Sequence, residues 1–371
     1  MRIGIPRESK PGERRVALLP EAVAPLCAAG HEVIVAEGAG AGCGADDAAY
    51  ASAGARIVPT QDAWHADLVV KVKEIQPGEC ERLAPGSALF AFQHLVGEPQ
   101  LTRELASRRL TAIAFEMVRD ASGGFPLLAP MSALAGRLAI VAGAHHLTVP
   151  GGGRGVMLAC GEGEAPARVL VLGGGHAGAN AAEVAAALGA SVTLLTRSES
   201  TRDALWSRFD GRVAVDLATP EAVEEAALEA DLVVGAVFVP GAPTPKLLPR
   251  ALVARMRPGS VIVDVSIDAG GVAETSRPTT HDDPAFVEEG VVHYAVPNMP
   301  AAVPRAGAQA LSAAAGPFVA RMAGLGIAGA LREDAGLASG VLLWQGRLTQ
   351  EGLAAEARLP YAPLSPQDLA A

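Results

Sequence analysis

In the stretch VLVLGGGHAGANAAEVAAALGASVTLLTRSES, Val169 to Ser200, an apolar run meets a glycine turn and an alanine-rich segment. Val169 to Leu172 has the continuous apolar character of a buried strand, and Asn180 to Leu188 has the composition of a helix. Between them Gly173, Gly175 and Gly178 fit GxGxxG, and Ser191 to Leu195 supplies a second strand at the distance a βαβ unit needs. Gly173 permits the tight turn, Gly175 lets the backbone approach a pyrophosphate, and Gly178 allows helix and strand to pack closely. Free amides at the helix N-terminus then face the phosphates. A glycine turn also occurs for packing alone, but the flanking strand, helix and second strand favour a dinucleotide.

The chain of 371 residues is 50% hydrophobic and 19% charged, an ordinary globular balance with room for two cores. A formal net charge of -10 argues against a nucleic-acid partner, because phosphate contacts need clustered Lys and Arg. Cys27, Cys43, Cys80 and Cys160 are scattered without CxxC spacing, so neither a metal site nor a disulfide framework is expected, and a reducing cytoplasm fits. The N-terminal MRIGIPRESKPGERR places charges where a signal peptide needs an apolar run. No uninterrupted stretch is expected to span a bilayer, so no membrane contact is expected.

The same strand and helix signals recur along the chain. Strands are expected at Arg2 to Ile5, His31 to Ala36, Asp67 to Val72, Ala88 to Ala91 and Leu110 to Ala114, with a helix at Pro20 to Ala29. Ser132 to His145 reads as a helix, and Asp231 to Gly235 and Ser260 to Val265 as further strands of the dinucleotide sheet. The alanine-rich Ala308 to Gly324 reads as a long helix returning to the first domain. The fold class is therefore α/β, two Rossmann-like doubly wound parallel-sheet domains with an interdomain cleft. Residues 1–128 and 307–371 form a discontinuous substrate domain, and residues 129–306 form the dinucleotide-binding domain.

Several side chains at strand ends have the chemistry of a site. Arg15, in GERRVALLP, offers a guanidinium whose geometry matches a carboxylate, although a solvated surface arginine would look the same. Lys73 follows an apolar strand, where partial burial and Arg15 would lower its pKa; strand alternation puts Lys71 on the same side and leaves the two open. His94 follows ALFAFQ and is a candidate proton carrier. Asp268 ends VIVDVSID before a pair of glycines, with Asp264 as its rival and a turn-forming aspartate as the bland reading of both.

Taken in order, RRVALLP, KVKE, FQHL, MSALAGRLA, GGRGV, GAVFVPG, DVSIDAGG, SRPTTH and HYAVPNMP resemble the alanine dehydrogenase / transhydrogenase alpha-subunit family over almost the whole chain. The resemblance implies that Arg15 and Lys73 bind the carboxylate and carbonyl region of a small amino acid or 2-oxo acid. It also implies that His94 handles protons and that Asp268 sits between substrate and nicotinamide, which selects Lys73 over Lys71 and Asp268 over Asp264. Ser132, Val237, Asn298 and Met299 are implied to line the cofactor site, and the assembly to be a homo-oligomer, typically a hexamer. The implied reaction is reversible oxidative deamination of L-alanine or a similar amino acid to the 2-oxo acid and ammonia, with no metal. The alternatives are the soluble NAD(H)-binding domain of a transhydrogenase, or a specialised-pathway homologue reducing a different imino acid. After HYAVPNMP this chain departs from the family pattern, running AAVPRAGAQAL where a Thr/Ser-rich segment is usual.

The end of the second strand bears on the choice between NAD and NADP. Where NAD-dependent relatives carry an aspartate for the ribose hydroxyls, this chain has Thr196, followed by Arg197 and Ser198. A carboxylate there would repel a 2′-phosphate, whereas a guanidinium and a hydroxyl suit one, so the local chemistry slightly favours NADP.

Overall fold

Strands that are apolar along their whole length must be covered on both faces, and parallel sheets wrapped in helices do this. The computed structural model describes residues 1–159, 161, 163, 165–239 and 243–370. Cys160 and the last two residues of GAVFVPG, Pro240 and Gly241, lie outside those described residues. The chain divides into two units, Met1–Met131 with Val303–Ala371, and Ser132–Ala302.

In the first unit β1 (Arg2–Ile5), β2 (Glu32–Ala36), β3 (Arg56–Val58), β4 (Leu68–Val70), β5 (Ala88–Ala91) and β6 (Thr111–Ala114) pair in parallel. Their spatial order is β3-β2-β1-β4-β5-β6, and two antiparallel strands, Val341–Trp344 and Arg347–Leu348, extend the sheet beyond β6. The order reverses between β1 and β4, which is where a doubly wound sheet opens a crevice at its carboxyl edge. The strand expected over Asp67 to Val72 is shorter, because β4 stops at Val70. Lys71 and Lys73 therefore follow the end of β4, although Lys71 N still donates to Phe90 O at 3.2 Å and Val72 O accepts the Phe92 amide at 3.0 Å.

The second unit repeats the winding. Its strands are β7 (Arg168–Leu172), β8 (Ser191–Thr196), β9 (Ala214–Leu217), β10 (Leu232–Gly235), β11 (Val261–Asp264), β12 (Ala285–Glu288) and β13 (Val291–Tyr294). They lie in the order β12-β13-β11-β10-β7-β8-β9, parallel apart from the β12 edge. Successive side chains of a strand leave opposite faces. Val169 and Val171 of β7 accordingly join a core with Ala139, Ile140 and Ala182, while Leu170 and Leu172 join another with Val223, Val253 and Met256.

The helix after the glycine turn runs His176–Ala187, beginning one turn earlier than the composition indicates. Gly178 is already helical, and a Cβ placed on it would stand 1.8 Å from the Gly173 carbonyl oxygen, so only glycine allows the helix to start so near the strand. The helix Ala129–Leu147 approaches just as closely: a Cβ on Gly136 would be 2.0 Å from the Ala177 carbonyl oxygen. The C-terminal helix runs Pro304–Glu333, broken at Gly326 where φ is 73° and ψ 160°. By length and composition it could cross a membrane, which corrects the expectation that no stretch is long enough. Its apolar side has a core to fill: Ala308, Leu311, Ala315, Val319 and Met322 are buried, the helix packs on Pro20–Ala28, and the Leu19 amide donates to Ser312 Oγ at 2.9 Å.

The two helical glycines Gly136 and Gly324 should respond in opposite directions to the same change. Gly136→Ala forces apart two backbones and should cost about 1–3 kcal/mol, whereas Gly324, with nothing within 4 Å of its would-be Cβ, should gain up to about 1 kcal/mol as alanine. Urea unfolding of both variants decides it, and a Gly136→Ala protein as stable as wild type refutes the close crossing.

Candidate active site

The glycine turn fits a dinucleotide by its open space as well as by its spacing. Gly173 has φ +108°, and a Cβ there would meet the Ala236 carbonyl oxygen at 2.3 Å, while a Cβ on Gly175 would meet nothing within 4 Å. Gly175 is exposed and precedes the helix His176–Ala187, whose N-terminus no side chain caps. Those first amides therefore open outward at the positive end of the helix, as a pyrophosphate requires. Thr196, the last residue of β8, is buried beneath the turn, its Oγ1 2.9 Å from the place a Gly174 Cβ would occupy. Arg197 beside it is exposed. The Ser198 hydroxyl is partly engaged, accepting the Thr201 amide at 3.3 Å as the cap of the helix Glu199–Phe209 and lying 2.8 Å from Ser200 Oγ.

The carboxyl ends of β10 and β11 are tied by Ser266. Its hydroxyl accepts the Val237 amide at 2.8 Å and donates to the carbonyl of the same residue at 2.8 Å. Asp268 lies in the one-turn 3-10 segment Val265–Ala269 and is exposed. Asp264 is buried instead, its Oδ2 accepting the Val272 amide at 2.8 Å and the Ser276 hydroxyl at 2.7 Å, and burial pushes its carboxyl up despite those donors. The two aspartates thus separate: Asp264 is the turn-forming one and Asp268 is presented to solvent. After β13, Asn298 takes the left-handed conformation at φ 55° and its carbonyl accepts the Ala301 amide, while Met299 is buried in the core. Ser132 is half-buried in the first turn of the helix Ala129–Leu147.

In the first unit the candidates also follow strand ends. Arg15, in the segment after β1, is buried at 2% exposure, so the solvated surface arginine is excluded. Its Nε and Nη2 grip Glu13 Oε1 and Oε2 at 2.7 and 2.5 Å, and Nη1 meets the Met131 sulfur at 3.1 Å. Lys71, after β4, is buried between Glu79 Oε2 at 2.8 Å and Glu8 Oε2 at 3.4 Å. One cation between two buried carboxylates leaves an excess negative charge, and burial pushes the Glu8 carboxyl up. Lys73 is buried too, but its nearest carboxylate oxygen, Glu74 Oε2, is 3.9 Å away. Burial lowers its pKa, and the charges of Lys10 and Arg15 act in the same direction against Glu74 and Glu13. Glu74 also holds Lys10; burial pushes its carboxyl up, but the Lys10 hydrogen bond and the Lys73 charge outweigh this and bring it down to about 2.

His94, after β5, has a positive φ of 44° and an imidazole about half exposed, stacked parallel to Phe92 at 6.0 Å. Glu116, after β6, fixes the bend by accepting the Gln93 amide at 3.1 Å and the His94 amide at 2.8 Å, with His94 Nδ1 3.9 Å from the same oxygen. Glu8, Glu13, Glu74, Glu79, Glu116 and Ser266 escaped the sequence reading. Glu13 and Glu74 had a signal, each lying within two residues of a candidate cation; Glu79 and Glu116 are brought in only by tertiary folding. No group of three or more His, Cys, Asp or Glu side chains arranged to hold a metal occurs among the described residues.

Comparison with known proteins covers nearly the whole chain. The N-terminal domain model of alanine dehydrogenase/PNT matches residues 4–135 and the C-terminal domain model matches residues 139–351. The alanine dehydrogenase of Halomonas elongata is 47% identical over 97% of this chain and 98% of its own length. That of Mycobacterium tuberculosis is 45% identical over 97% of this chain and 98% of its own. A solved L-alanine dehydrogenase superposes with a TM-score of 0.92 at 43% identity, covering 96% of this chain and 99% of that one. A transhydrogenase from Sinorhizobium meliloti superposes with a TM-score of 0.81 at 25% identity, covering 95% and 99%.

Acid should act on Glu74 in a defined window. Its folded carboxyl lies near 2 against an ordinary 4.5, so its contribution is whole above 4.5 and disappears as pH falls through about 2. Glu74→Gln should flatten the dependence of unfolding free energy on pH in that window, as measured by urea unfolding at a series of pH values. An unchanged slope contradicts the Lys10–Glu74–Lys73 arrangement.

Proposed function

The chain belongs to the alanine dehydrogenase/PNT family, and we propose that it catalyses reversible, nicotinamide-dependent oxidative deamination of L-alanine to pyruvate and ammonia. The observation that carries the reading is a chain 42–47% identical to alanine dehydrogenases over almost its full length, with Arg15, Lys73 and His94 in the segments that follow β1, β4 and β5. The transhydrogenase alternative has lower identity, 25%. The occurrence of Arg15, Lys73 and His94 as a set also favours a substrate site.

A bound nicotinamide supplies the acceptor for the hydride that leaves the substrate Cα. Arg15, oriented by Glu13, takes the substrate carboxylate. Lys73 is buried with its carboxylate partner at arm's length, so its ammonium polarises the oxygen that develops as water adds to the imine. His94 takes the proton from that water and returns it to the departing amine, the exposed imidazole being free to exchange it. Asp268 offers a carboxylate to the cationic ammonium and iminium. Gly173 and Gly175 would hold the pyrophosphate at the helix start that Gly178 allows, and Val237, Asn298, Met299 and Ser132 would line the remainder of the cofactor site.

We infer a preference for NADP over NAD from Thr196 and Arg197. No carboxylate is present there to repel a 2′-phosphate, and Arg197 is exposed to receive one. Ser198, already a helix cap, is the weaker contributor. Free Cys27, Cys43 and Cys80 favour a cytoplasmic setting, and the family resemblance favours a homo-oligomer, a hexamer, which sedimentation equilibrium would decide.

The reading is tested by supplying 2-oxo acids with ammonia and following reduced nicotinamide by its absorbance; pyruvate should be the best substrate. His94→Asn tolerates the positive φ but lacks the imidazole, so turnover should fall about 10²–10⁴-fold with dinucleotide affinity unchanged. Turnover near wild type would remove His94 from the mechanism. For the cofactor, kcat/KM with NADPH should exceed that with NADH, and Thr196→Asp should reverse the order; a wild-type preference for NADH that the substitution leaves alone refutes it.

A further inference from the structure

Asp268 stands at the head of a turn that its own sequence makes loose. The 3-10 segment Val265–Ala269 ends in Gly270 and Gly271, both left-handed at φ +100° and +78°. Adjacent glycines lose more conformational freedom on ordering than any other pair, so something outside the turn must hold it. On the amide side Gly270 and Gly271 donate to Ile267 and Ser266, each at 3.0 Å, and Val272 donates to Asp264 Oδ2 at 2.8 Å. On the carbonyl side one side chain reaches both glycine carbonyls. Lys246 Nζ donates to the carbonyl oxygens of Gly270, Gly271 and Ala273, the latter two at 3.0 and 3.1 Å.

An ammonium has three donors and no acceptor, and all three of these are directed at one short stretch of backbone. The segment bearing Lys246 is itself zipped to the turn on both sides. The Thr244 amide donates to Ala269 O at 2.9 Å, Leu248 to Val272 O at 3.1 Å, and Glu274 back to Leu248 O at 3.0 Å. Lys246 therefore sits in mid-span, its backbone held alongside the turn while its exposed side chain reaches across to those carbonyls. Its positive charge also lies at the carbonyl end of the 3-10 turn, where the peptide dipoles favour a cation.

We propose that Lys246 is a positioning residue for Asp268: its ammonium fixes the Gly270–Gly271 turn and so sets the direction in which the Asp268 carboxylate is presented. The proposal rests on the reading of Asp268 as a carboxylate acting on the substrate. A misaimed group costs far more in rate than in binding, since displacements of the order of an ångström lower turnover steeply.

The experiment uses the full-length protein and four variants: Lys246→Met, which keeps the stem and loses the donors, Lys246→Arg, which returns donors, Asp268→Asn, and Lys246→Met with Asp268→Asn. Amide hydrogen exchange is read at Gly270 and Gly271, together with kcat, KM and dinucleotide Kd. Lys246→Met should speed exchange at those two amides and lower kcat about 10- to 100-fold, with Kd unchanged and partial recovery in Lys246→Arg. In the Asp268→Asn background the same change should have little further effect on kcat, because the group being aimed is gone. Unchanged exchange in Lys246→Met overturns the clamp, and equal losses of kcat in both backgrounds overturn its action through Asp268. If Asp268→Asn alone keeps the wild-type kcat, it is the assignment of Asp268 that fails, and exchange alone then decides whether Lys246 clamps the turn.

Discussion

The second unit depends on backbone meeting backbone without side chains between. The helix His176–Ala187 lies against the Gly173 carbonyl at Gly178, and the helix Ala129–Leu147 lies against the Ala177 carbonyl at Gly136. One added methyl at either place would occupy the same space as a carbonyl oxygen. These contacts set the position of the helix N-terminus relative to β7 more tightly than apolar packing would, because a hard contact admits no sliding. The alanines on the buried side of His176–Ala187, among them Ala181, Ala182 and Ala185, follow from the same closeness. A helix drawn in by glycines leaves no depth for larger side chains. The outcome is an uncapped row of amides held at a fixed height over the carboxyl edge of the sheet.

The first unit is organised by charge where the second is organised by close approach. Arg15 and Lys71 are both buried, and each has carboxylates placed around it: Glu13 for Arg15, Glu8 and Glu79 for Lys71. Removing one partner from such a pair is strongly destabilising, because it leaves an uncompensated buried charge. Lys73 differs from its neighbour by the looseness of its pairing. Lys71 is saturated by its surroundings, whereas Lys73, with Glu74 Oε2 at 3.9 Å, keeps a lowered pKa and capacity to bind elsewhere. Two lysines two positions apart thus differ in how tightly nearby carboxylates hold them.

That distinction also marks what was legible beforehand. The βαβ unit, the strand run and the doubly wound class follow from local pattern, since a buried parallel strand is apolar throughout and the glycine turn has a fixed spacing. The boundaries were less legible: the start of the helix at His176 depends on a contact with Gly173, and the end of β4 at Val70 depends on its neighbours. Asp264 and Asp268 look alike in DVSID, yet one collects donors from Val272 and Ser276, eight and twelve residues further on, and the other collects solvent. Glu116 supports the His94 bend across a gap of 22 residues, which no local pattern encodes. The family resemblance selects Lys73 and Asp268, and in the structure it is Lys71 and Asp264 that buried partners engage.

The division of the chain has a consequence for how the protein is made. The second unit is contiguous, Ser132–Ala302, whereas the first needs Val303–Ala371 to complete it. A ribosome delivers β1 to β6 early, but β6 lacks its neighbour Val341–Trp344, and the helix Pro20–Ala28 lacks Pro304–Glu333, until the second unit has been synthesised in full. During that interval the nascent chain carries an open edge through Ala112 and Ile113 together with an uncovered apolar helix face, the kind of surface on which unfinished chains associate. The closing segment is accordingly also a shield, and truncation near the C-terminus would be felt first in the solubility of the product rather than in its chemistry.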